Sequence, residues 1–354
     1  MSLLDAHNSG VREQRGYDGV TEGIGDLSGA YCRERFAFTD SAAALAAATP
    51  ADTLVSVGIS PTGEPHVGTL GQLESAIAFQ EAGFDVQVIL ADQVVYNARG
   101  GSLPALTDLA ERYAAFLHER GFDPEEGELV IQSESFGVLS TAFRLAPEYD
   151  PGADGPAAEH EPTAFEEALA AAYEDVELPD GTSAFSEQLC GLLLAADTVG
   201  PLQSGEYERV VLALGANNVG FGRSIDALRA KAGVEGSVVG LYSHLVPGVD
   251  GTPKMSKSIP ESSLHLGMAP DDLRKRVRDP ALNAADPAES VVYGMFRHAS
   301  PFSGEERAAL REARAADDER WSDAVEEYAD YLAETAREWQ RTGERSTRYR
   351  ELPP

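Results

Sequence analysis

The sequence has few cysteines and no long apolar run, and these absences exclude several classes of protein. Its 354 residues include only Cys32 and Cys190, which are too few to build a disulfide scaffold or a zinc site by themselves. No apolar run reaches the roughly 18 residues of a membrane-spanning helix, so we expect no membrane partner. The first residues lack a basic stretch followed by an apolar one, so they do not resemble a secretory signal. We therefore expect a cytoplasmic location, since a reducing compartment suits so few cysteines.

Lysine is also scarce, within a strongly acidic composition. The chain has 59 Asp and Glu against 28 Lys and Arg, a formal net charge of −31. The only lysines are Lys231, Lys254, Lys257 and Lys275. This balance is typical of halophilic proteins, in which high salt screens self-repulsion, although an ordinary acidic protein would share it. It argues against broad, non-specific nucleic-acid binding and leaves room for a local basic strip.

Hydrophobic patterns predict an α/β fold, with a doubly wound parallel (Rossmann-like) sheet and a small C-terminal helical domain. Five short runs rich in Val and Leu lack polar alternation, as strands buried on both faces of a parallel sheet do. Apolar residues at helical spacing follow Gly68 and again follow Pro104, so helices alternate with the strands. The five predicted strands are 53–59, 85–91, 129–132, 209–214 and 237–242.

Composition along the chain predicts three parts. Residues 1–50 form a polar and then Ala-rich lead-in segment with one helix, residues 51–283 a Rossmann-like domain, and residues 284–354 a helical domain. An acidic insertion at 147–183 interrupts the middle part. It holds eleven Asp or Glu and no Lys or Arg, around one short predicted helix at 163–173.

The first candidate site is the turn after the strand at 53–59, where a helix begins near Gly68. Free N–H groups at a helix N-terminus and their partial positive charge can bind a phosphate. His66 can donate a hydrogen bond to a phosphate oxygen, although an ordinary turn could contain the same histidine. The candidate phosphate-binding residues of this turn are Ser60, Thr62, Gly63, His66, Gly68 and Thr69.

The second candidate site is a Gly- and Pro-rich loop that contains two of the four lysines. In so acidic a chain, a solvated loop would be expected to carry Asp, Glu or Arg rather than lysine. Two amines and two hydroxyls on a flexible segment suit a clamp that closes on phosphates better than a chance basic loop. The residues of this lysine loop are Lys254, Met255, Ser256, Lys257 and Ser258.

Together the two motifs, HVGT and KMSKS, resemble the signatures of class I aminoacyl-tRNA synthetases of the tryptophanyl/tyrosyl branch. The stretch after the lysine loop is similar to that of archaeal tryptophanyl-tRNA synthetases, and the resemblance covers roughly residues 51–140 and 185–300. It implies an ATP-binding catalytic domain that uses ATP and Mg²⁺ to activate an amino acid, with tryptophan favoured, as an aminoacyl-adenylate. It also implies transfer to a tRNA, tRNA-Trp in the favoured case, and a homodimer.

The same resemblance implies roles for single residues. His66, Lys254 and Lys257 would be catalytic: His66 would hold the ATP phosphates, and the two lysines would neutralise charge that develops on the pyrophosphate side. The backbone N–H groups at Gly68 and Thr69 would bind phosphate oxygens. The resemblance supplies no protein ligand for a metal ion.

The motif match weakens where the family binds the amino acid. Gly191 and Leu194 replace a Pro and a Gln, Asn217 and Asn218 replace an Asp and a Gln, and Phe221 replaces a His or Tyr. These changes remove polar groups that would fix specificity, so the identity of the amino acid stays open. Polar residues after the second strand could replace them or be ordinary strand-end residues. The expected amino-acid-binding residues are Asp92, Gln93, Tyr96, Asp197, Asn217 and Asn218.

Three functions stay open at this point. The first is a tryptophan-type tRNA ligase, for which the basic cluster at 274–278 could meet the acceptor stem or be a charged helix face. The second is a synthetase-like paralogue that adenylates another amino acid or carboxylate without tRNA. The third is a non-catalytic binding protein of the same fold, against which the retained lysine pair argues.

Overall fold

The computed structural model describes residues 2–150, 161–174, 176 and 183–349, with one six-stranded sheet at the centre. Its order is β1-β6-β5-β2-β3-β4, with β1 antiparallel at one edge and the other five strands parallel. The predicted Rossmann-like α/β fold is confirmed, because each predicted strand is present within two residues at either end. The strands are β1 (Phe36–Thr39), β2 (Thr53–Ile59), β3 (Asp85–Leu90), β4 (Gly127–Ile131), β5 (Arg209–Gly215) and β6 (Ser237–Ser243).

Two apolar clusters, one on each face of the sheet, bury the strands on both sides. The cluster on one face includes Leu70, Leu73 and Phe116 from the helices that connect β2, β3 and β4. The helices of that face are α4 (Val67–Glu81) and α6 (Leu103–Glu119), whereas α5 (Asp92–Arg99) contacts both α6 and α9. The helices of the other face are α7 (Phe136–Leu145), α9 (Ala184–Gln203) and α10 (Phe221–Lys231). Neighbouring strands β2 and β5 stand where the order reverses, the position at which such sheets bind ligands.

The expectation of a lead-in segment with one helix is wrong. This segment contains three helices, α1 (Leu3–Arg15), α2 (Gly29–Arg35) and α3 (Ala42–Ala46), and the edge strand β1. β1 is only four residues long, and all four are buried against β6. Such a strand has no alternation to reveal it in the sequence.

Part of the predicted acidic insertion lies outside the described residues, namely 151–160, 175 and 177–182. The described part contains α8 (Ala164–Glu174), which corresponds to the short helix predicted there. The boundaries proposed for the three parts of the chain stay a prediction.

The C-terminal region is helical, as predicted. Its helices are α11 (Pro270–Val277), α12 (Val291–His298), α13 (Gly304–Ala315) and α14 (Glu319–Tyr349). Trp321, Tyr328 and Trp339 are buried in the cluster that they share with α4 and α6, so they pack the core rather than present stacking surfaces.

The basic cluster at 274–278 is neutralised by carboxylates. Arg274 pairs with Asp271 at 2.9 Å and with Asp330 of α14 at 2.7 Å. Arg278 pairs with Glu326 of α14 at 2.5 Å. The cluster forms a charged helix face that links α11 to α14. Its contact with a tRNA acceptor stem stays a prediction.

Among the helices of the described ranges, none combines the length and apolar character needed to cross a lipid bilayer.

Candidate active site

A cavity of about 210 Å³ opens beside the carboxyl ends of β2, β5 and β6. Gly58 and Gly215, at the ends of β2 and β5, form part of its wall. The two sequence motifs meet in this cavity although almost two hundred residues separate them. The predicted site residues that line it are Ser60, His66, Gly68, Thr69, Lys254, Met255, Lys257, Asn217 and Asn218.

His66 forms the N-terminal cap of α4. Its Nδ1 accepts the backbone N–H of Thr69 at 3.3 Å, so this N–H is engaged rather than open to a phosphate. Because Nδ1 accepts, the neutral ring carries its proton on Nε2, which is then able to donate. The imidazole lies so close to Gly68 that a Cβ there would stand 2.9 Å from the ring, which explains the glycine.

Main-chain hydrogen bonds join the first motif to the segment that follows the lysine loop. The N–H of Val67 donates to the carbonyl of Leu264 at 3.2 Å, and the N–H of Leu266 donates to the carbonyl of Pro65 at 2.8 Å. His66 and His265 stand opposite each other in this short antiparallel bridge. The segment that follows the lysine loop is therefore fixed to the turn that follows β2.

The lysine loop folds back over the first motif. Lys257 Nζ donates to the carbonyl of Ser60 at 2.5 Å and lies 5.6 Å from the centre of the Tyr113 ring. Met255 is buried, and its N–H donates to the carbonyl of Val246 at 2.8 Å. Met255 thus anchors the loop, while the ammonium groups on either side of it face the cavity.

The two loop serines that were expected to bind ATP do not line the cavity. The N–H of Ser256 donates to the hydroxyls of Ser262 and Ser263 at 3.0 and 2.9 Å. The Ser258 hydroxyl accepts a 2.8 Å bond from Arg99 of α5. In this conformation these serines stabilise the shape of the loop.

Thr62 and Gly63 also shape the turn rather than line the cavity. The N–H of Thr62 donates to the carbonyl of Ser60 at 2.9 Å. The carbonyl of Gly63 accepts the Tyr113 hydroxyl of α6 at 2.8 Å, and Gly63 has a φ of 156°. Both residues fix the path between β2 and His66.

The electrostatics of the cavity suit a ligand of several negative charges. Burial, Arg99 and Lys254 lower the pKa of Lys257 to about 7. Burial and the two lysines hold the pKa of His66 well below its usual range. Each of these groups would become easier to protonate beside an anion. The side chains that line the cavity include no carboxylate.

The described residues do not provide a metal site of their own. Across 2–150, 161–174, 176 and 183–349, no three His, Cys, Asp or Glu side chains are grouped to hold a metal ion. Together with the absence of a carboxylate in the cavity lining, this does not fit a Mg²⁺ held by the protein. Any Mg²⁺ that accompanies ATP would be part of the substrate.

Asp92, Gln93 and Tyr96 do not line the cavity. The Asp92 carboxylate is buried and accepts bonds from the Thr107 hydroxyl and from the N–H and hydroxyl of Ser133. It therefore joins α5, α6 and the end of β4. Gln93 bonds to Asn97 one turn along α5, and Tyr96 is exposed. These residues are placed as strand-end and helix polar groups.

Asp197 lies in a second cavity, of about 540 Å³, between β3, β4, α7 and α9. Its carboxylate is buried: one oxygen accepts a 2.6 Å bond from Gln132, and the other has no partner in the described part of the chain. Burial raises the pKa of this carboxyl well above its usual range. Asp197 and the asparagine pair thus lie in different cavities.

The departure from the family at Gly191 has a structural reason. A Cβ at Gly191 would lie 2.3 Å from the hydroxyl oxygen of Tyr149. A proline or any other side chain at this position would collide with that hydroxyl. The glycine and the tyrosine therefore form a matched pair.

Two histidines in the cavity wall were not predicted. His244 Nε2 accepts a 2.6 Å bond from Arg297, and His298 Nδ1 bonds to the carbonyl of Gly294 at 3.1 Å. Burial holds the pKa of both well below the usual range. The sequence signal that could have indicated these residues is the rarity of histidine, of which the chain has seven. Three of the seven line this cavity.

The first motif is also tied to the C-terminal helices, which its sequence did not indicate. Glu64 pairs with Arg112 at 3.3 Å and accepts the indole N–H of Trp339. The Arg112 guanidinium lies 3.8 Å from the centre of the Trp339 ring. The next residue, Gln340, donates to the carbonyls of Leu266 and Met268 at 2.9 Å. Trp339 of α14 thus holds the first motif, and the next residue, Gln340, holds the segment that follows the lysine loop.

Comparison with known proteins agrees with the two motifs. Residues 50–146 match the family model described as "tRNA synthetases class I (W and Y)". The predicted resemblance to class I synthetases of the tryptophanyl/tyrosyl branch is therefore confirmed. The match ends before the lysine loop and leaves the remainder of the chain to the structural comparison.

Two relatives match short stretches of sequence at 36% identity. Tryptophan--tRNA ligase 1 of Halobacterium salinarum is 36% identical over 88 residues, 25% of this chain and 17% of its own length. Tyrosine--tRNA ligase of Methanopyrus kandleri is 36% identical over 78 residues, 22% of this chain and 24% of its own length. The chain thus matches only about a fifth of the length of these relatives.

The structural likeness extends over most of the chain. The crystal structure of tryptophanyl-tRNA synthetase from Aeropyrum pernix superposes with a TM-score of 0.63 at 22% identity. The superposition covers 87% of this chain and 83% of that one. At this identity the likeness establishes the fold.

Proposed function

We propose that this chain activates an amino acid with ATP, with tryptophan favoured, and transfers the aminoacyl group to a tRNA. The observation that carries the proposal is that His66 and Lys257 line one cavity, although they belong to motifs far apart in the sequence. The class I family match and the Rossmann-like fold support the same assignment.

The first step would be attack of the amino-acid carboxylate on the α-phosphate of ATP, which releases pyrophosphate and forms an aminoacyl-adenylate. Such a displacement depends on positioning and on neutralisation of charge at the phosphates. Lys254 and Lys257 would neutralise charge on the leaving pyrophosphate. The Nε2–H of His66 would donate to a phosphate oxygen, beside the Gly68 N–H at the start of α4.

The amino-acid side of the site rests on weaker support. Asn217 and Asn218 line the cavity and bond to each other at 3.0 Å, so they can meet a polar group of the substrate. Asp197 offers a carboxylate oxygen without a partner among the described atoms, although it lies in the other cavity. We propose these three as amino-acid contacts. Relatives named for tryptophan and for tyrosine both match this chain.

The deciding experiment is ATP–pyrophosphate exchange with each of the twenty amino acids, performed in multimolar potassium chloride. Stimulation by tryptophan supports the favoured function. Stimulation by another amino acid supports the paralogue that adenylates a different substrate. The absence of any stimulation would refute activation and favour a binding protein of the same fold.

Transfer to tRNA requires a separate experiment, since residues 274–278 are neutralised. Charging of total tRNA from a halophilic archaeon with radiolabelled amino acid would test it. Exchange activity without charging would restrict the function to adenylation.

We also propose a homodimer. Phe136 and Phe143 lie seven residues apart on α7, and their side chains are 82% and 81% exposed; Phe185 of α9 is 67% exposed. Two exposed aromatic side chains on the same face of one helix mark an interaction surface. Light scattering should give twice the chain mass, and Phe143→Asp should shift it towards the monomer. A wild-type monomer would refute the dimer.

Adaptation to high salt and a cytoplasmic location complete the proposal. The net charge of −31 supports the first. Exchange activity should rise with potassium chloride into the molar range, whereas an ordinary acidic enzyme should lose activity there.

A further inference from the structure

The acidic insertion makes a contact that the proposed reaction does not explain. Tyr173, near the end of α8, places its hydroxyl 2.7 Å from the hydroxyl of Ser256 in the centre of the lysine loop. Lys254 Nζ lies 5.9 Å from the centre of the same tyrosine ring, within the range of a cation–π interaction. One side chain of the insertion thus touches the loop at a hydroxyl and at an ammonium group.

The other end of α8 is fixed to α1. Arg15 forms two hydrogen bonds with the Glu166 carboxylate, at 2.8 and 2.5 Å. The His7 and Phe165 rings are in contact, with centres 4.7 Å apart. Because bidentate Arg–carboxylate pairs fix geometry, this end of α8 has a defined position.

His7 extends this anchor to the cavity wall. Its Nδ1 bonds to the Thr163 hydroxyl at 2.8 Å, and its Nε2 bonds to the carbonyl of Ala216 at 3.2 Å. Ala216 immediately precedes Asn217, which lines the cavity. With eleven residues, α8 is about 16 Å long. It therefore links the wall at Ala216 to the lysine loop.

Ser256 lies at the centre of the hydrogen bonds that determine the shape of the lysine loop. Its hydroxyl also accepts the N–H of Ser258 at 3.2 Å, and its N–H and carbonyl bond to the hydroxyls of Ser262 and Ser263. The residues on either side of this hydrogen-bonded turn include Lys254 and Lys257. Holding Ser256 therefore sets where both ammonium groups point.

We propose that Tyr173 is a positioning residue that holds the lysine loop closed over ATP, and that α8 is the strap through which α1 supports it. This inference rests on the proposed function for its kinetic consequence only. Its structural content, that Tyr173 orders the loop, holds or fails independently of the reaction.

The kinetic test is Tyr173→Phe, which keeps the ring beside Lys254 and removes the hydroxyl. A single neutral hydrogen bond corresponds to about a fivefold change in rate. We expect kcat for exchange to fall about fivefold, with the KM for the amino acid unchanged. Ser256→Ala should have at least this effect, and the double variant should be no slower than Ser256→Ala alone. Multiplicative effects would contradict a direct contact.

The matched control is Tyr331→Phe. It removes a tyrosine hydroxyl that bonds to Glu74 between α14 and α4, and neither of these two residues lines the cavity. Its kcat should equal that of the wild type. An equal loss of kcat in both variants would refute a specific role for Tyr173.

The structural test is amide hydrogen exchange of residues 254–258 in the ligand-free protein. Tyr173→Phe should increase the exchange rate of this segment about fivefold. Arg15→Met, which releases the far end of α8, should increase it in the same direction. Thermal unfolding checks that both variants fold.

The outcomes separate the two proposals. Faster amide exchange in a protein without catalytic exchange would retain the strap and refute the proposed function. Catalytic exchange with unchanged kcat and unchanged amide protection in Tyr173→Phe would retain the function and refute the strap.

Discussion

Replacement of Lys257 by methionine tests the central claim about the cavity. Methionine retains most of the aliphatic stem that packs near Tyr113 and removes the ammonium that donates to Ser60. Hydrogen bonds that involve a charged group contribute about 1.5–3 kcal/mol. If that contribution is made to the leaving pyrophosphate, kcat/KM for ATP should fall about 10- to 150-fold.

The pH dependence gives the same claim a second test. Burial, Arg99 and Lys254 lower the pKa of Lys257 to about 7, so the free enzyme loses this positive charge as the pH rises through 7. Because kcat/KM reports the ionisation of free enzyme and free substrate, kcat/KM for ATP should decline above that pH. Lys257→Arg stays protonated and should lack this decline. Since ATP titrates identically in both proteins, the difference between the two profiles isolates the lysine.

The matched control is Lys275→Met, which removes an exposed lysine on α11 and should leave exchange unchanged. A loss smaller than threefold in Lys257→Met would refute the role of the lysine loop. So would wild-type and Lys257→Arg profiles that coincide across pH 6 to 9.

Three further predictions concern stability. Lys257→Met should raise Tm, most strongly below pH 7. The pKa of Lys257 is about 7 in the folded protein, below the usual 10.5. Folding of the wild type therefore buries a charged amine at low pH, and this cost disappears as the pH rises towards 10.5. An increase in Tm of the same size at every pH would contradict this cause. Gly191→Ala should lower Tm, because the new Cβ collides with the Tyr149 hydroxyl. Addition of Tyr149→Phe should restore part of the lost Tm. A double variant with no higher Tm would show that the collision involves another group. Trp339→Phe should cost about 2–4 kcal/mol in urea unfolding, because it removes the hydrogen bond to Glu64, weakens the contact with Arg112 and leaves a cavity in the core. An unchanged midpoint would contradict a stabilising role for this side chain.

Much of the fold and half of the site follow from local patterns in the sequence. The strands at 53–59 and 209–215 are short apolar runs without alternation, and only burial on both faces explains them. His66 and Lys257 were identified because rare residues stood in turns. Their meeting in one cavity follows from the strand order.

The remaining features depend on contacts between distant parts of the chain. Asp92 is a carboxylate at the end of a strand, where ligand-binding residues are expected. In the structure, however, its oxygens accept hydrogen bonds from Thr107 and Ser133, so it has a structural role. Arg274 and Arg278 form ion pairs with carboxylates of α14 that lie more than forty residues away in the sequence. No local pattern encodes such pairings, since each depends on how helices pack.

One turn of α14 has a consequence for communication across the molecule. Trp339 reaches the edge of the cleft formed by the first motif, and Gln340 reaches the edge formed by the segment after the lysine loop. A small rotation of this helix would displace both edges of the cleft together. A substitution in this single helical turn therefore perturbs both edges of the cleft at once, although the turn lies far from either edge in the sequence.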